Sequence, residues 1–262
     1  MPIMKLADAS LNYRFDGAEG LPVLVLSNSL GTSLGMWDEQ IPAFARHFRV
    51  LRYDTRGHGE SSISPVPYSI EQLGRDVLGL LDGLGIERFS FCGLSMGGLI
   101  GQWLALHAGP RLQRLVLCNT AAKIGTEQVW NDRIKTVLNG QQQAMRDMRD
   151  ASIARWFTPG FAEQQPDVAR RITDMIASTS PDGYAANCAA VRDANFREQL
   201  AGITVPTLVV CGAKDPVTTV DHGQFIQAQV AGAELAVFEA AHLSNVEAGE
   251  AFTQRVLEFL VG

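Results

Sequence analysis

Ser95 lies in Gly93-Leu94-Ser95-Met96-Gly97-Gly98, a G-x-S-x-G pattern that puts a hydroxyl between small residues. An apolar run, 89–92, precedes it, and an apolar helical pattern through Ile100, Leu104 and Leu106 follows. A nucleophilic serine needs this strand–turn–helix setting. The side chain must project from a sharp, strained turn, and only small neighbours let the flanking backbones pass closely. The same turn sets the next amide, Met96 N–H, beside the reacting carbon, at a helix N-terminus that favours negative charge. A serine hydroxyl is a weak nucleophile without a base. With this type of turn an acid is expected after a later strand, and a histidine last in the chain. The run 207–211 leads into Gly212-Ala213-Lys214-Asp215-Pro216, and the run 235–238 leads into Ala240-Ala241-His242-Leu243. Asp215 and His242 therefore fall at the carboxyl edge of a sheet, in the order Ser95, Asp215, His242.

Plainer readings stand beside these. Asp215 before a proline also suits a turn former, and His242 a structural loop histidine. His58 is the strongest rival base, but in Asp54-Thr55-Arg56-Gly57-His58-Gly59-Glu60-Ser61 it reads as a turn element bracing the site. His47, His107 and His222 fall in or near helical stretches and read as surface or packing residues. A second oxyanion donor is expected in Ser27-Asn28-Ser29-Leu30-Gly31-Thr32, after an early strand. The Leu30 amide is the candidate, with Gly31 permitting close approach. One such donor contributes about 3 kcal/mol to transition-state stabilisation.

The elements that position these groups alternate. Short apolar runs at 23–26, 50–53, 89–92, 115–118, 208–211 and 235–238 are separated by amphipathic segments. That rhythm is the signature of an α/β fold with a mainly parallel sheet, its strands covered on both faces. The stretch 9–15 alternates more and is expected to form an antiparallel edge. Ser69 and Gln72 form a capping-box pattern ahead of a helix whose stripe includes Leu73, Val77 and Leu80. Between 121 and 200 the strand rhythm lapses and helix spacing takes over, with Pro159, Pro166 and Pro181 as punctuation. We expect a core formed by 1–120 and 201–262, with 121–200 inserted as a helical lid.

Composition narrows the partners. The 262 residues carry a formal charge of −6 without a basic run, which argues against nucleic acid as a partner. No apolar stretch approaches the ~18 residues of a membrane span, and the start lacks a secretory pattern, so a cytoplasmic protein is expected. Cys92, Cys118, Cys188 and Cys211 form no C-x-x-C pair and read as small buried side chains. No histidine pair has metal-ligand spacing, and no metal or organic cofactor is expected. The sequence sets no oligomeric state.

These residues resemble the α/β-hydrolase superfamily, and most closely the 3-oxoadipate enol-lactonases. The likeness rests on the three segments that hold Leu30, His58 and Ser95. It continues through Trp130-Asn131-Asp132-Arg133-Ile134, Trp156-Phe157-Thr158-Pro159 and Gly183-Tyr184-Ala185-Ala186, and ends with Ala241-His242-Leu243-Ser244-Asn245-Val246-Glu247. The superfamily often has His-Gly where this chain has Asn28-Ser29, a form that the lactonases share.

The resemblance implies hydrolysis of 3-oxoadipate enol-lactone by a Ser95–His242–Asp215 triad, with Leu30 and Met96 amides as the oxyanion hole. Such a substrate carries a carboxylate while the protein is net negative, so a local cation must select it. Arg133 beside Trp130, and Arg155 beside Trp156, are the candidates, with Arg133 preferred. The same triad also serves carbon–carbon hydrolases of ring-cleavage products, broad carboxylesterases and cofactor-free haloperoxidases or perhydrolases. A non-catalytic ligand binder would not need all three triad residues.

Overall fold

The computed structural model describes residues 2–64 and 67–262. Its strands are β1 (Ile3–Lys5), β2 (Ser10–Asp16), β3 (Val23–Ser27), β4 (Arg49–Tyr53), β5 (Phe89–Leu94), β6 (Leu112–Cys118), β7 (Thr207–Gly212) and β8 (Glu234–Phe238). They form one sheet in the order β1-β2-β4-β3-β5-β6-β7-β8. β2 is antiparallel to β1 and β4, and the pairings from β4 through β8 are parallel. The expected antiparallel edge therefore needs a correction. The segment expected there is β2, second from the edge, and the short β1 covers it.

Burial explains the order. β5 and β7 are buried along their whole length, whereas β8 at the far edge leaves Val237 46% exposed. Two-sided burial requires helices on both faces. In chain order these are α1 (Ile41–Phe44), α2 (Ile70–Gly83), α3 (Met96–His107), α4 (Glu127–Trp156), α5 (Pro159–Gln164), α6 (Pro166–Ser178), α7 (Pro181–Asp193), α8 (Val220–Gln229), α9 (Ser244–Glu247) and α10 (Gly249–Val261). The Ser69 hydroxyl caps α2 by accepting from Gln72 N–H at 3.1 Å. The reciprocal half of the capping box is replaced, because the Gln72 side chain turns to Asp8 at 3.2 Å.

Helices α4 to α7 lie between β6 and β7. They pack on one another, α4 against both α6 and α7. Proline opens α5, α6 and α7, where a missing N–H costs nothing. α4 is broken at Gln141 (φ 49°, ψ −137°), so its two halves can face different neighbours. All four cysteines are buried and unpaired by disulfides. Among the described residues no helix is long and apolar enough to cross a membrane.

Candidate active site

Ser95 occupies the turn from β5 into α3 with φ 58° and ψ −110°, a left-handed conformation that a residue with a Cβ adopts at a cost of about 1–3 kcal/mol. Neighbouring bonds hold it there. Ser95 N–H donates to Cys118 O at 2.9 Å, and the Thr120 hydroxyl donates to Ser95 O at 2.8 Å. Gly97 is required by close approach, since a Cβ there would lie 2.3 Å from Ser27 O. Its own N–H donates to Asn28 O at 3.1 Å, tying the serine turn to the loop after β3.

At the ends of β7 and β8, Asp215 and His242 meet. The His242 Nδ1 lies 2.8 Å from Asp215 Oδ2, with both residues buried. The same oxygen accepts from Thr218 Oγ1 at 2.7 Å and Asn119 Nδ2 at 3.0 Å, while Oδ1 accepts from the N–H groups of Val217 and Thr218. Burial pushes the Asp215 carboxyl up, but the charge and hydrogen bond of His242 and the donors from Asn119 and Thr218 prevail and hold it at about 2. Facing an acceptor-only carboxylate, Nδ1 carries the ring proton and leaves Nε2 as an acceptor. Ser95 and His242 line one cavity of about 280 Å³. Among the described residues Ser95 Oγ makes no hydrogen bond to the imidazole.

The two expected oxyanion donors are poised alike. Among the described residues, neither Met96 N–H nor Leu30 N–H donates to a protein acceptor, although the N–H groups of Ser95, Gly97, Gly31 and Thr32 all do. Leu30 lines the cavity; Met96 does not, and would contribute its N–H alone. The Leu30 loop is pinned from three sides. Asn28 Nδ2 donates to Tyr53 O at 2.8 Å, and Trp37 Nε1 donates to Asn28 Oδ1 at 3.0 Å. Gly31, at φ 82°, donates its N–H to His58 Nε2 at 2.9 Å. His58 thus sits behind the loop rather than in the cavity, and burial lowers its pKa to about 4, which keeps the ring neutral.

Helices α4 and α7 supply the opposite lining. Trp130, Arg133, Arg155, Trp156 and Tyr184 all border the cavity. The Arg133 guanidinium lies 4.9 Å from the Trp130 ring centroid, and Arg155 Nη2 donates to Ser152 Oγ at 2.7 Å. Neither arginine forms an ion pair among the described residues. Burial, and then the like charge of Arg133, lowers the Arg155 pKa below its usual value. Two uncompensated guanidiniums at one cavity make a site for an anion. Burial also raises Tyr184 to about 12, so its phenol remains protonated. Among the described residues no group of three or more His, Cys, Asp and Glu side chains is placed to hold a metal ion.

Sequence reasoning passed over Asn119. It is fully buried at φ 42°, just beyond β6, and its Nδ2 donates both to Asp215 Oδ2 and to Ala241 O at 3.2 Å. Ser244 Oγ donates to Asn119 Oδ1 at 2.5 Å, so one side chain joins the acid, the histidine loop and α9. The available signal was an amide immediately after an apolar strand, at the sheet edge where Asp215 and His242 were expected.

Residues 22–248 match the family of the alpha/beta hydrolase fold. The chain is 47% identical, over 95% of its length and 92% of the relative's, to 3-oxoadipate enol-lactonase 2 of Acinetobacter baylyi. The crystal structure of the enol-lactonase from Burkholderia xenovorans superposes with a TM-score of 0.97 at 45% identity, covering 100% of both chains. A thermophilic esterase from Thermogutta terrifontis superposes with a TM-score of 0.92 at 26% identity, over 99% of this chain and 98% of its own.

Proposed function

The chain belongs to the alpha/beta hydrolase fold family, and from that premise we propose that it hydrolyses 3-oxoadipate enol-lactone to 3-oxoadipate through an acyl-enzyme. The observation that carries the reading is one cavity bordered by Ser95, His242 and two arginines without acidic partners. The likeness to enol-lactonases over nearly the whole chain supports the choice of lactone.

His242 Nε2 takes the proton of Ser95 as Oγ attacks the lactone carbonyl, while Asp215 holds the imidazole tautomer and supports the imidazolium. The Met96 and Leu30 amides receive the tetrahedral oxyanion. Collapse breaks the ring C–O bond and expels an enolate, a far better leaving group than an alkoxide; the His242 imidazolium gives it the proton taken from Ser95, which yields the product ketone and a neutral imidazole. His242 then deprotonates water, whose oxygen attacks the acyl carbon and frees Ser95. Binding is local, because a net charge of −6 repels an anionic lactone at long range. Arg133 and Arg155 hold its carboxylate, with the Trp130 and Trp156 faces beside the ring.

Steady-state turnover of the enol-lactone, of a dienoic ring-cleavage product and of neutral 4-nitrophenyl acetate tests this assignment. The lactone should lead in kcat/KM by at least about a hundredfold. Equal turnover of the neutral ester would return the protein to the broad carboxylesterases, and preference for the dienoic acid to the carbon–carbon hydrolases.

A further inference from the structure

Glu247, the last residue of α9, is a carboxylate whose partners come from two separate parts of the chain. Its Oε2 accepts at 2.8 Å from the N–H of Ala241, the residue just before His242. Beyond the end of α4, Thr158 N–H is shared between Oε1 at 3.1 Å and Oε2 at 3.3 Å, and the Thr158 hydroxyl donates to Oε1. No arginine or lysine pairs with it among the described residues. A second bond runs parallel to the first, because Leu243 N–H donates to Trp156 O at 3.1 Å. The residues on both sides of His242 are thus fastened to 156–158, Leu243 directly and Ala241 through Glu247. That segment adjoins Arg155 and Trp156, which line the cavity.

The donor set suits a carboxylate. Three donors converge on two oxygens, and a carboxylate offers an acceptor at both. A glutamine offers one acceptor oxygen, so it keeps Ala241 N–H only by setting its NH₂ where Thr158 N–H and the Thr158 hydroxyl now donate. Thr158 N–H would then retain only its longer bond, 3.3 Å, to the remaining oxygen, and the hydroxyl would have to turn from donor to acceptor.

We propose that Glu247 is a positioning residue that sets the His242 imidazole and the Arg155–Trp156 wall relative to each other, so that base and substrate-binding wall move as one unit. This rests on the hydrolytic reading above, in which His242 is the base and Arg155 binds the substrate carboxylate. A purely structural Glu247 would affect the amount of folded protein. A positioning Glu247 affects the chemistry of each folded molecule.

The test compares wild type, Glu247→Gln and Thr158→Val as purified full-length chains, with Ser95→Ala as the control for the hydrolytic reading. Rates are expressed per folded molecule, using thermal unfolding to count it. Glu247→Gln should lower kcat about tenfold on both the enol-lactone and 4-nitrophenyl acetate, and raise KM severalfold for the lactone alone. Thr158→Val, which removes only a hydroxyl donor, should show the same pattern at about a third of the size, and should add nothing in the Glu247→Gln background. The downfield imidazole N–H proton signal of His242 should move in Glu247→Gln without substrate present. A kcat within twofold of wild type on either substrate, together with an unmoved imidazole signal, overturns the proposal. If Glu247→Gln does not fold, Thr158→Val decides alone by the same criteria. If Ser95→Ala retains wild-type turnover, the hydrolytic reading itself falls; if it loses turnover while Glu247→Gln does not, only the positioning role falls.

Discussion

Replacing His58 with glutamine should remove a defined part of the protein's acid sensitivity. His58 is 1% exposed, and its Nε2 accepts the Gly31 N–H beside the Leu30 amide. Burial lowers its pKa from 6.5 to about 4. Above pH 6.5 the ring is neutral in folded and unfolded chains alike, so the full contribution to stability is present. Between pH 6.5 and about 4 only the unfolded chain binds the proton, and stability falls as pH falls. At about 1.4 kcal/mol per unit, the loss reaches about 2 kcal/mol at pH 5 and about 3 kcal/mol at pH 4. Protonation would also turn the Nε2 acceptor into a donor facing Gly31 N–H, loosening the loop that carries Leu30, the proposed oxyanion donor. A glutamine oxygen can accept that N–H without titrating. Urea unfolding of wild type and His58→Gln at pH 7.5, 6.5 and 5 measures the difference directly. The wild type should lose about 2 kcal/mol more than the variant between pH 7.5 and 5. Curves that stay parallel within about 0.5 kcal/mol would refute the reasoning, because distant titrations cancel in the difference.

Other substitutions address the cavity and its supports. Asn119→Asp keeps the left-handed turn accessible but sets a second carboxylate 3.0 Å from Asp215 Oδ2. The pH at which kcat/KM is half-maximal should rise by about one unit, and an unchanged pH–rate profile would show that Asn119 does not act on the pair. Gly97→Ala places a Cβ 2.3 Å from Ser27 O and should cost about 2 kcal/mol of stability, visible as a fall in Tm of roughly 4–8 °C; a Tm within 1 °C of wild type would mean that the turn relaxes freely. Arg155→Met should raise KM for the enol-lactone about 10–100-fold, the loss of one charge-assisted hydrogen bond, and leave KM for 4-nitrophenyl acetate unchanged. A uniform effect on both esters would remove Arg155 from carboxylate binding.

Much of the frame was legible because local pattern and global role agree. Buried parallel strands must be apolar on both faces, so β3 to β7 announce themselves, and the serine turn needs small residues at fixed positions. Asp215 and His242 stand where the strand rhythm places the ends of β7 and β8, and the structure brings them to 2.8 Å. β1 was missed because three residues of an edge strand carry too short an alternation to read. The break at Gln141 is invisible in a polar run such as Gln141-Gln142-Gln143, where no apolar stripe changes register. Asn119 and Glu247 escape for another reason. Asn119 donates to Asp215, 96 residues on, and Glu247 accepts from Thr158, 89 residues back; a side chain's long-range partner cannot be inferred from its own neighbours. The arginines of α4 lie between these extremes: the resemblance implied an anionic substrate and so a local cation, and the packing of α4 puts both arginines at the cavity.

The central claim is that the Ser95 hydroxyl becomes the acyl carrier, and enol-lactone turnover by Ser95→Ala tests it most directly. Removing the nucleophile while the oxyanion donors and cavity remain should lower kcat by roughly 10⁴-fold or more, with Tm close to that of wild type. A folded Ser95→Ala enzyme that keeps a tenth or more of wild-type turnover would contradict the account.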